Sequence, residues 1–394
     1  MSYEEIVKRD QLAVMPTYGQ RQLILTRGEG VRVWDQDGRC YLDFLSGLGV
    51  NSLGHCHPKV VEAIREQAGI LMHVSNLYYN LPQLRLAERL SSLFGDGLCF
   101  FCNSGAEAVE GAIKLAMKAR EGRFKFVTML NSFHGRTVGA LTATGQEKYR
   151  KGFGKLLADF SYVPLNDLDA VKDAVDDRTA GILVEPIQGE GGVYPAEDAF
   201  LKGLRGLADE TGAVLIFDEV QCGMGRSGKL FCFEHAGVKP DVVCLAKALA
   251  GGFPMGAMIA TREKGSCLGR GAHASTFGGT PLACAASLAC LDVMCEEGFL
   301  ERAAAVGERL ASHFQSFASS RGGIKEIRGK GLMIGVELEA PVAPAAVARC
   351  REEGLLANAI GDRILRLLPP LVLSEQDADE GYAIMEGALA EALG

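Results

Sequence analysis

The chain alternates short apolar runs with helix-type patterns from about residue 98 to residue 285. Most of the runs lack period-two alternation, as expected of strands that are covered on both faces. Helical stretches such as Ala106–Ala119 and Ala199–Glu210 lie between them. The pattern predicts an α/β fold whose mainly parallel sheet has helices on both sides. The runs are Leu98–Cys102, Phe124–Leu130, Gly181–Ile187, Ala213–Val220, Val242–Leu245 and Met255–Thr261.

The two ends of the chain have a different character. Residues 31–43 alternate in polarity around Asp37-Gly38, which predicts a β-hairpin. Near the other end, Gly331–Leu338 and Ile364–Leu368 are strand-like, and a helix is expected from about Ser374. We therefore expect residues 1–54 and 290–394 to form one smaller α+β domain, and residues 55–289 to form the large sheet domain.

Composition and charge narrow the class of protein. A net charge of −8 without a cluster of Lys or Arg argues against a nucleic-acid binder. No segment approaches the ~18 uncharged apolar residues of a membrane span, and the charged first ten residues contain no signal-peptide core. The 12 cysteines lie mostly in apolar patterns, which suits reduced thiols. These features predict a cytoplasmic protein that binds neither nucleic acid nor a membrane.

Two of the predicted buried strands end in groups that could carry chemistry. The run from Ala213 ends at Asp218, and the run from Val242 ends at Lys247, which enters a glycine turn. A lysine at the edge of a core strand can be desolvated enough to act as an amine nucleophile. An aspartate beside it is the partner that a protonated pyridine nitrogen needs. Together they satisfy the basic requirement of pyridoxal phosphate chemistry.

A third strand end offers an anion site. Ser104, Gly105 and Ala106 follow a strand and open a helix, so the first-turn amides could bind a phosphate. The simpler alternative is a helix cap, because Ser104 and Glu107 also match the capping-box pattern. The two interpretations compete for the same amide donors.

Other strand ends supply an aromatic ring and ionised side chains. Phe133 could stack on a flat ligand or belong to the core, and Arg136 could bind a carboxylate or be a surface charge. Glu190 lies in a glycine loop, where it could equally be solvated. Arg366 is flanked by leucines in a strand, so it needs a partner if it is buried.

Three motifs are interpreted as structural. Gly223–Gly228 matches a dinucleotide-binding pattern, but no helix follows it, so it is interpreted as a flexible glycine loop over a site. Cys99 and Cys102 form a C-x-x-C pair within strand core, without a second pair at zinc spacing. His55-Cys56-His57 alternates along the chain, so its side chains point to opposite sides. We expect no metal site.

Taken together, seven segments resemble the class III pyridoxal-phosphate aminotransferases, and the resemblance runs from about Met15 to the C-terminus. It implies a type I pyridoxal-phosphate fold and a homodimer with active sites at the subunit interface. The segments are Leu53–Pro58, Asn103–Glu107, Phe133–Thr137, Val184–Gly192, Phe217–Arg226, Ala246–Leu249 and Ser275–Gly279.

The resemblance also implies roles for the residues of the cofactor site. Lys247 is expected to be the Schiff-base lysine and Asp218 the partner of the pyridine nitrogen. Gln221 would approach the ring hydroxyl, with Phe133 and Val220 on the two faces of the ring. The phosphate would be held by Ser104, Gly105 and Ala106, and by Thr276 of the other subunit.

For the substrates, the family implies 2-oxoglutarate and a small amino donor. Arg366 would bind the α-carboxylate and Arg136 the distal carboxylate of 2-oxoglutarate or glutamate. Glu190 would neutralise one of these arginines when the distal end of a substrate is not anionic. Ser275 is expected to contact the substrate as well.

Some positions depart from the family pattern, and two other functions stay open. Ala106 stands where Thr is frequent, while Val109 and Thr280 each replace an Asn. None of these changes removes a catalytic group. An aminomutase of the same fold would move an amine within one molecule and need no 2-oxoglutarate. A non-catalytic binding module of the same fold is the alternative outside the enzymes.

Overall fold

The computed structural model describes residues 1–19, 21–157 and 159–394. The helices are α1 Tyr3–Ala13, α2 Ser46–Gly49, α3 Pro58–Ile70, α4 Leu81–Phe94, α5 Gly105–Ala119, α6 Val138–Ala143, α7 Glu147–Arg150, α8 Leu168–Ala174, α9 Asp198–Thr211, α10 Arg262–Gly265, α11 Pro281–Met294, α12 Phe299–Arg321, α13 Ala343–Glu352 and α14 Glu375–Leu393. Short 3-10 helices cover Ser75–Leu77, Cys232–Glu234 and Lys247–Ala250.

The strands form four sheets, and the largest has seven strands in the order β4-β12-β11-β10-β7-β5-β6. The strands are β1 Leu25–Glu29, β2 Arg32–Asp35, β3 Cys40–Asp43, β4 Gly97–Cys102, β5 Lys125–Met129, β6 Phe160–Val163, β7 Thr179–Val184, β8 Ile187–Gln188, β9 Tyr194–Pro195, β10 Val214–Asp218, β11 Val242–Leu245, β12 Gly256–Thr261, β13 Ile324–Lys330, β14 Met333–Leu338, β15 Leu355–Leu356, β16 Asn358–Ile360 and β17 Ile364–Leu367.

The seven-stranded sheet is mainly parallel. Strands β11, β10, β7, β5 and β6 run parallel to one another, whereas β12 is antiparallel to both β11 and β4. Asp218 at the end of β10 pairs in register with Cys244 of β11. Lys247 follows Cys244 by three residues, so Asp218 and Lys247 leave the same edge of the sheet.

Helices cover both faces of this sheet. Leu215 and Phe217 of β10 belong to the apolar cluster that contains Leu204 of α9, whereas Val214 and Ile216 belong to the cluster that contains α5. Successive strand residues point to opposite faces, so every side chain of β10 is buried. The predicted α/β class with helices on both sides is therefore confirmed.

Both chain ends contribute to the smaller sheets. The first has the order β1-β2-β3-β15, with β15 from the C-terminal part parallel to β3. The second, β13-β14-β17-β16, is antiparallel throughout. Strands β2 and β3 form the predicted hairpin, and Gly38 in its turn has a φ of +83°. The predicted domain junction at 289/290 lies inside α11, which packs on α3 and α4. The division into domains stays a prediction.

The loop at Gly223–Gly228 differs from its sequence interpretation. No helix follows it, in agreement with the rejected dinucleotide motif, but the loop is buried and does not line the main cavity. The Arg226 guanidinium donates to the carbonyls of Leu332 and Pro369 and to the Ser52 hydroxyl. Because these acceptors come from both chain ends, the buried arginine ties the loop to both parts of the small sheets. The expectation of a flexible loop was wrong.

Within the described ranges, no helix is long and apolar enough to cross a membrane. Across those same residues, no group of three or more His, Cys, Asp or Glu side chains is arranged to hold a metal ion. His55, which the sequence placed in a possible metal triplet, instead makes a 2.7 Å contact between its Nε2 and Oδ2 of Asp43.

Candidate functional site

A cavity of about 430 Å³ opens at the edge of the central sheet where β10 and β11 end. Its lining comes from the segments that follow β4, β5, β7, β10 and β11, together with Val50. Cavities of this size suit a small ligand or cofactor. The lining residues are Val50, Asn103, Ser104, Gly105, Ala106, Phe133, His134, Gly135, Arg136, Glu185, Glu190, Asp218, Val220, Gln221, Ala246, Lys247, Gly252, Phe253, Pro254 and Met255.

Lys247 reaches this cavity from the second position after β11, as the first residue of the 3-10 helix Lys247–Ala250. Its backbone has a φ of +46°, a left-handed conformation that is uncommon for a residue with a side chain. Desolvation by the surrounding protein lowers the pKa of the Lys247 ammonium, although the negative charges of Glu190 and Asp218 oppose this shift. In the described part of the chain its Nζ has no hydrogen-bond partner. The amine is therefore available to a ligand.

Asp218 is held by two donors. Its Oδ1 accepts the Val220 N–H at 3.0 Å, and its Oδ2 lies 2.7 Å from Nδ1 of the buried His134. On the other side of the ring, His134 Nε2 lies 3.2 Å from Thr128 Oγ1, which donates its proton to the Ala143 carbonyl at 3.0 Å. An ionised Asp218 can only accept, so His134 Nδ1 donates to it and thereby orients the carboxylate.

The segment after β4 forms the amino end of α5. Ser104 caps the helix, because its Oγ accepts the Glu107 N–H at 3.2 Å. The Glu107 carboxylate binds the Asn103 backbone N–H and not that of Ser104, so the predicted capping box is only half formed. Amides of a first helical turn lack acceptors within the helix, and the helix dipole favours an anion there. A side chain at Gly105 would clash with Val220, since a Cβ would lie 2.7 Å from its Cγ1.

Glu185 is a buried carboxylate that sequence reasoning did not select. It accepts the N–H groups of Phe133 at 2.7 Å and of Gly189 at 3.1 Å, and so fixes the loops that follow β5 and β7. Burial raises the pKa of Glu185, with a further contribution from the negative charge of Asp218. Its only available signal in the sequence is its position at the end of a buried strand.

Arg366 is buried, and it reaches the cavity through Glu190. The guanidinium pairs with the Glu190 carboxylate, and it donates from Nε and Nη2 to Oδ1 of Asn358 at 3.2 and 2.8 Å. Gln221 joins this group, with 3.3 Å between its Nε2 and Glu190 Oε1. The positive charge of Arg366 lowers the pKa of Glu190 against the effect of burial. Arg366 is buried and has a partner, as predicted. That partner is the Glu190 carboxylate, which a substrate carboxylate could replace.

Arg136 lines the cavity in a different environment. It is exposed, and among the described residues no carboxylate pairs with it. Its guanidinium carbon lies 4.2 Å from the centroid of the Tyr149 ring and 5.5 Å from that of Phe133. A cation without an anionic partner at a cavity is suited to binding a carboxylate.

Ser275 and Thr276 lie outside this cavity. Ser275 Oγ accepts from Asn103 Nδ2 at 3.2 Å and from the Gly278 N–H at 3.0 Å, and Thr276 is exposed. The other predicted residues, apart from Arg366, all line the cavity. The cavity residues that the sequence did not select include Asn103, His134 and Glu185.

These residues fit pyridoxal phosphate. An amine without a partner faces a cavity that also holds a buried carboxylate with fixed charge, and the first turn of α5 provides an anion site at the same cavity. Phe133 and Val220 also line it and are placed to contact a flat ring. These groups therefore suit a ligand that carries an aldehyde, a ring nitrogen and a phosphate.

Comparison with known proteins agrees with this site. The family model "Aminotransferase class-III" matches residues 14–389. The acetylornithine aminotransferase of Caldanaerobacter subterraneus subsp. tengcongensis is 50% identical, over 96% of this chain and 97% of the relative. That of Methanocaldococcus jannaschii is 48% identical, over 96% of each chain.

Solved structures give the same result. An ornithine aminotransferase from Toxoplasma gondii superimposes with a TM-score of 0.95 at 31% identity, over 100% of this chain and 95% of that one. An N-acetylornithine aminotransferase from Stenotrophomonas maltophilia gives 0.85 at 35% identity, over 98% and 99%. The chain therefore belongs to the class III aminotransferases and is an enzyme of type I fold that acts with pyridoxal phosphate.

Proposed function

We propose that the protein transfers the terminal amino group of N2-acetylornithine to 2-oxoglutarate, giving N-acetylglutamate 5-semialdehyde and glutamate, a step of arginine biosynthesis. The observation that carries the proposal is a pair of arginines, one in the cavity lining and one behind it. Arg366 pairs with Glu190 of the lining, a carboxylate that a substrate could replace, and Arg136 lines the cavity with no carboxylate partner among the described residues. The names of the relatives at 46–50% identity support the choice of donor.

In this proposal Lys247 is the proton carrier. When bound, pyridoxal phosphate accepts the electron pair left on the carbon that bears the reacting amine. The Lys247 amine, whose pKa is lowered by burial, would take the proton from that carbon and pass it to the cofactor carbon that had carried the aldehyde. Asp218, fixed by His134 and the Val220 amide, presents its negative charge to a protonated ring nitrogen. Donor and acceptor use one site in turn, so we expect ping-pong kinetics.

The arginines would separate the two half-reactions. Arg366 would bind the α-carboxylate of 2-oxoglutarate after Glu190 has moved away, and Arg136 would bind the distal carboxylate. With a donor whose reacting end has no carboxylate, Glu190 can stay on Arg366 and keep its charge paired. An unpaired buried charge is costly, so this contact lowers the free energy of the donor complex.

We expect acetylornithine to have the highest kcat/KM in a panel with free ornithine, N-succinylornithine, N-succinyl-diaminopimelate and 4-aminobutyrate, each with 2-oxoglutarate. A difference of one or two pocket contacts predicts ratios of roughly 10- to 200-fold. Steady-state kinetics measure them. If free ornithine or 4-aminobutyrate gave a far higher kcat/KM than acetylornithine, the substrate assignment would be contradicted. Turnover of glutamate semialdehyde without 2-oxoglutarate would instead indicate an aminomutase.

A homodimer with shared active sites is the second part of the proposal. Leu77, Tyr78, Tyr79 and Phe277 are 61–104% exposed, and His73 joins the two segments through a ring contact with Phe277. Exposed apolar surface of this extent marks an interaction site. Thr276 lies in the same surface, where it would reach the phosphate held by the other subunit.

Light scattering should therefore give twice the 42.0 kDa mass of one chain at micromolar concentration. Tyr79→Asp, which places a charge in this surface, should shift the mass towards that of one chain and reduce activity. A single-chain mass for the unaltered, active protein would contradict the shared site.

We also propose a cytoplasmic location. All 12 cysteines are free, including the buried thiols of Cys102, Cys244, Cys284 and Cys290. Free thiols in this number suit a reducing compartment.

A further inference from the structure

Tyr149 of α7 makes a contact group with two residues of the cavity lining. Its ring centroid lies 4.2 Å from the Arg136 guanidinium carbon. The Phe133 ring meets it edge-on, with centroids 5.4 Å apart and planes at 78°. The Lys148 ammonium also lies 4.8 Å from the Tyr149 centroid. Tyr149 therefore contacts both Phe133 and the Arg136 guanidinium, and its ring is the nearer of the two aromatic faces to that guanidinium.

The partner of Arg136 is an aromatic ring and not a carboxylate, and this difference affects what Arg136 can bind. An exposed arginine samples many rotamers, and fixing one of them costs conformational entropy when a ligand binds. An aromatic face within about 6 Å attracts the cation and reduces this cost in advance. A carboxylate partner would do the same but would occupy the N–H donors, as Glu190 does for Arg366. A ring contacts the plane of the guanidinium and leaves its N–H edge free for a ligand.

The geometry points to Tyr149 as a positioning residue for the distal carboxylate of 2-oxoglutarate or glutamate. Its ring holds the Arg136 guanidinium at the cavity with the N–H edge free, and thereby favours a dicarboxylate acceptor over a monocarboxylate. The inference rests on the proposed function, because it takes Arg136 as the group that binds this carboxylate. The two cations that contact the ring, Arg136 and Lys148, both attract that anion.

The test compares two acceptors of the holoenzyme by their kcat/KM values: 2-oxoglutarate, and pyruvate, which lacks the distal carboxylate. We use the ratio of the kcat/KM for 2-oxoglutarate to the kcat/KM for pyruvate. Tyr149→Leu should lower this ratio by about 2- to 30-fold, mainly because the dicarboxylate binds more weakly, as expected for a lost cation–π contact. Tyr149→Phe keeps the face of the ring and should leave the ratio unchanged. Tyr149→Trp, with the better cation-binding face, should preserve the ratio or raise it.

Two results would overturn the inference. One is an unchanged ratio in Tyr149→Leu. Any loss of activity would then be equal for both acceptors and would reflect a loss of folded protein alone. The other is a fall in Tyr149→Phe as large as in Tyr149→Leu, which would assign the effect to the hydroxyl. Because the ratio is internal to each variant, partial loss of folded protein cancels.

Arg136→Gln separates this inference from the proposed function. If it lowers the ratio while Tyr149→Leu does not, Arg136 binds the distal carboxylate without help from Tyr149, and only the inference fails. If Arg136→Gln leaves the ratio unchanged, the proposed role of Arg136 fails, and the inference fails with it.

Discussion

Replacing Lys247 by Ala should lower kcat by about 10²- to 10⁴-fold, the contribution typical of a positioned general base. The side chain has no partner among the described residues, so its removal leaves no buried group unsatisfied and should not unfold the protein. The anion site at the start of α5 is untouched, so part of the affinity for pyridoxal phosphate should remain. Steady-state kinetics with acetylornithine and a fluorescence titration with pyridoxal phosphate measure the two effects.

A matched control lies on the surface. Lys172 pairs with Asp169 on α8, and both side chains are largely exposed. Lys172→Ala should leave kcat and cofactor affinity unchanged. Lys247→Arg keeps the positive charge but cannot give up its proton at ordinary pH, so it should be as inactive as Lys247→Ala. Activity of either Lys247 variant above about a tenth of the original would remove the central assignment.

Asp218→Asn should be the second most damaging change, with a fall in kcat of about 10²- to 10³-fold, as is typical when one preorganised group that stabilises developing charge is removed. The substitution keeps the size of the side chain but removes the charge. Because the carboxylate is expected to act on the ring that carries the developing charge, kcat and kcat/KM should fall together.

The measurement is steady-state kinetics at saturating pyridoxal phosphate, with thermal unfolding of the holoenzyme as a check of folding. Asp169→Asn, on the exposed partner of Lys172, serves as the control and should retain full activity. His134→Gln should give a smaller loss than Asp218→Asn, because it removes the hydrogen bond that orients the carboxylate and leaves the carboxylate itself. Comparable activity of Asp218→Asn and Asp169→Asn would disprove the role of Asp218.

Residues at strand ends were the most predictable part of the site. Unalternating apolar runs identify buried parallel strands, and their carboxyl ends meet at one sheet edge. Asp218 and Lys247 could be assigned to one site on this basis, and the register between Asp218 and Cys244 explains why. The hairpin at Gly38 and the helix that begins after Ser374 were predictable for local reasons of turn and cap chemistry.

The residues that the sequence did not reveal depend on contacts between distant segments. His134 is significant because it lies against Asp218, 84 positions away in the chain. Gly223–Gly228 was misinterpreted for the same reason, since its composition resembles that of a surface loop. The Arg226 side chain is bound by acceptors in remote loops and turns, which no local pattern shows.

The buried Arg226 has a consequence for attempts to change the amino donor. It fastens the segment after Gln221 to Pro369, just beyond the strand that carries Arg366. Enzyme engineers who seek a new donor would gain little from altering the packing between the two sheets, since this fastening resists their relative movement. Libraries should instead randomise Glu190, whose contact with Arg366 can change while the backbone stays in place.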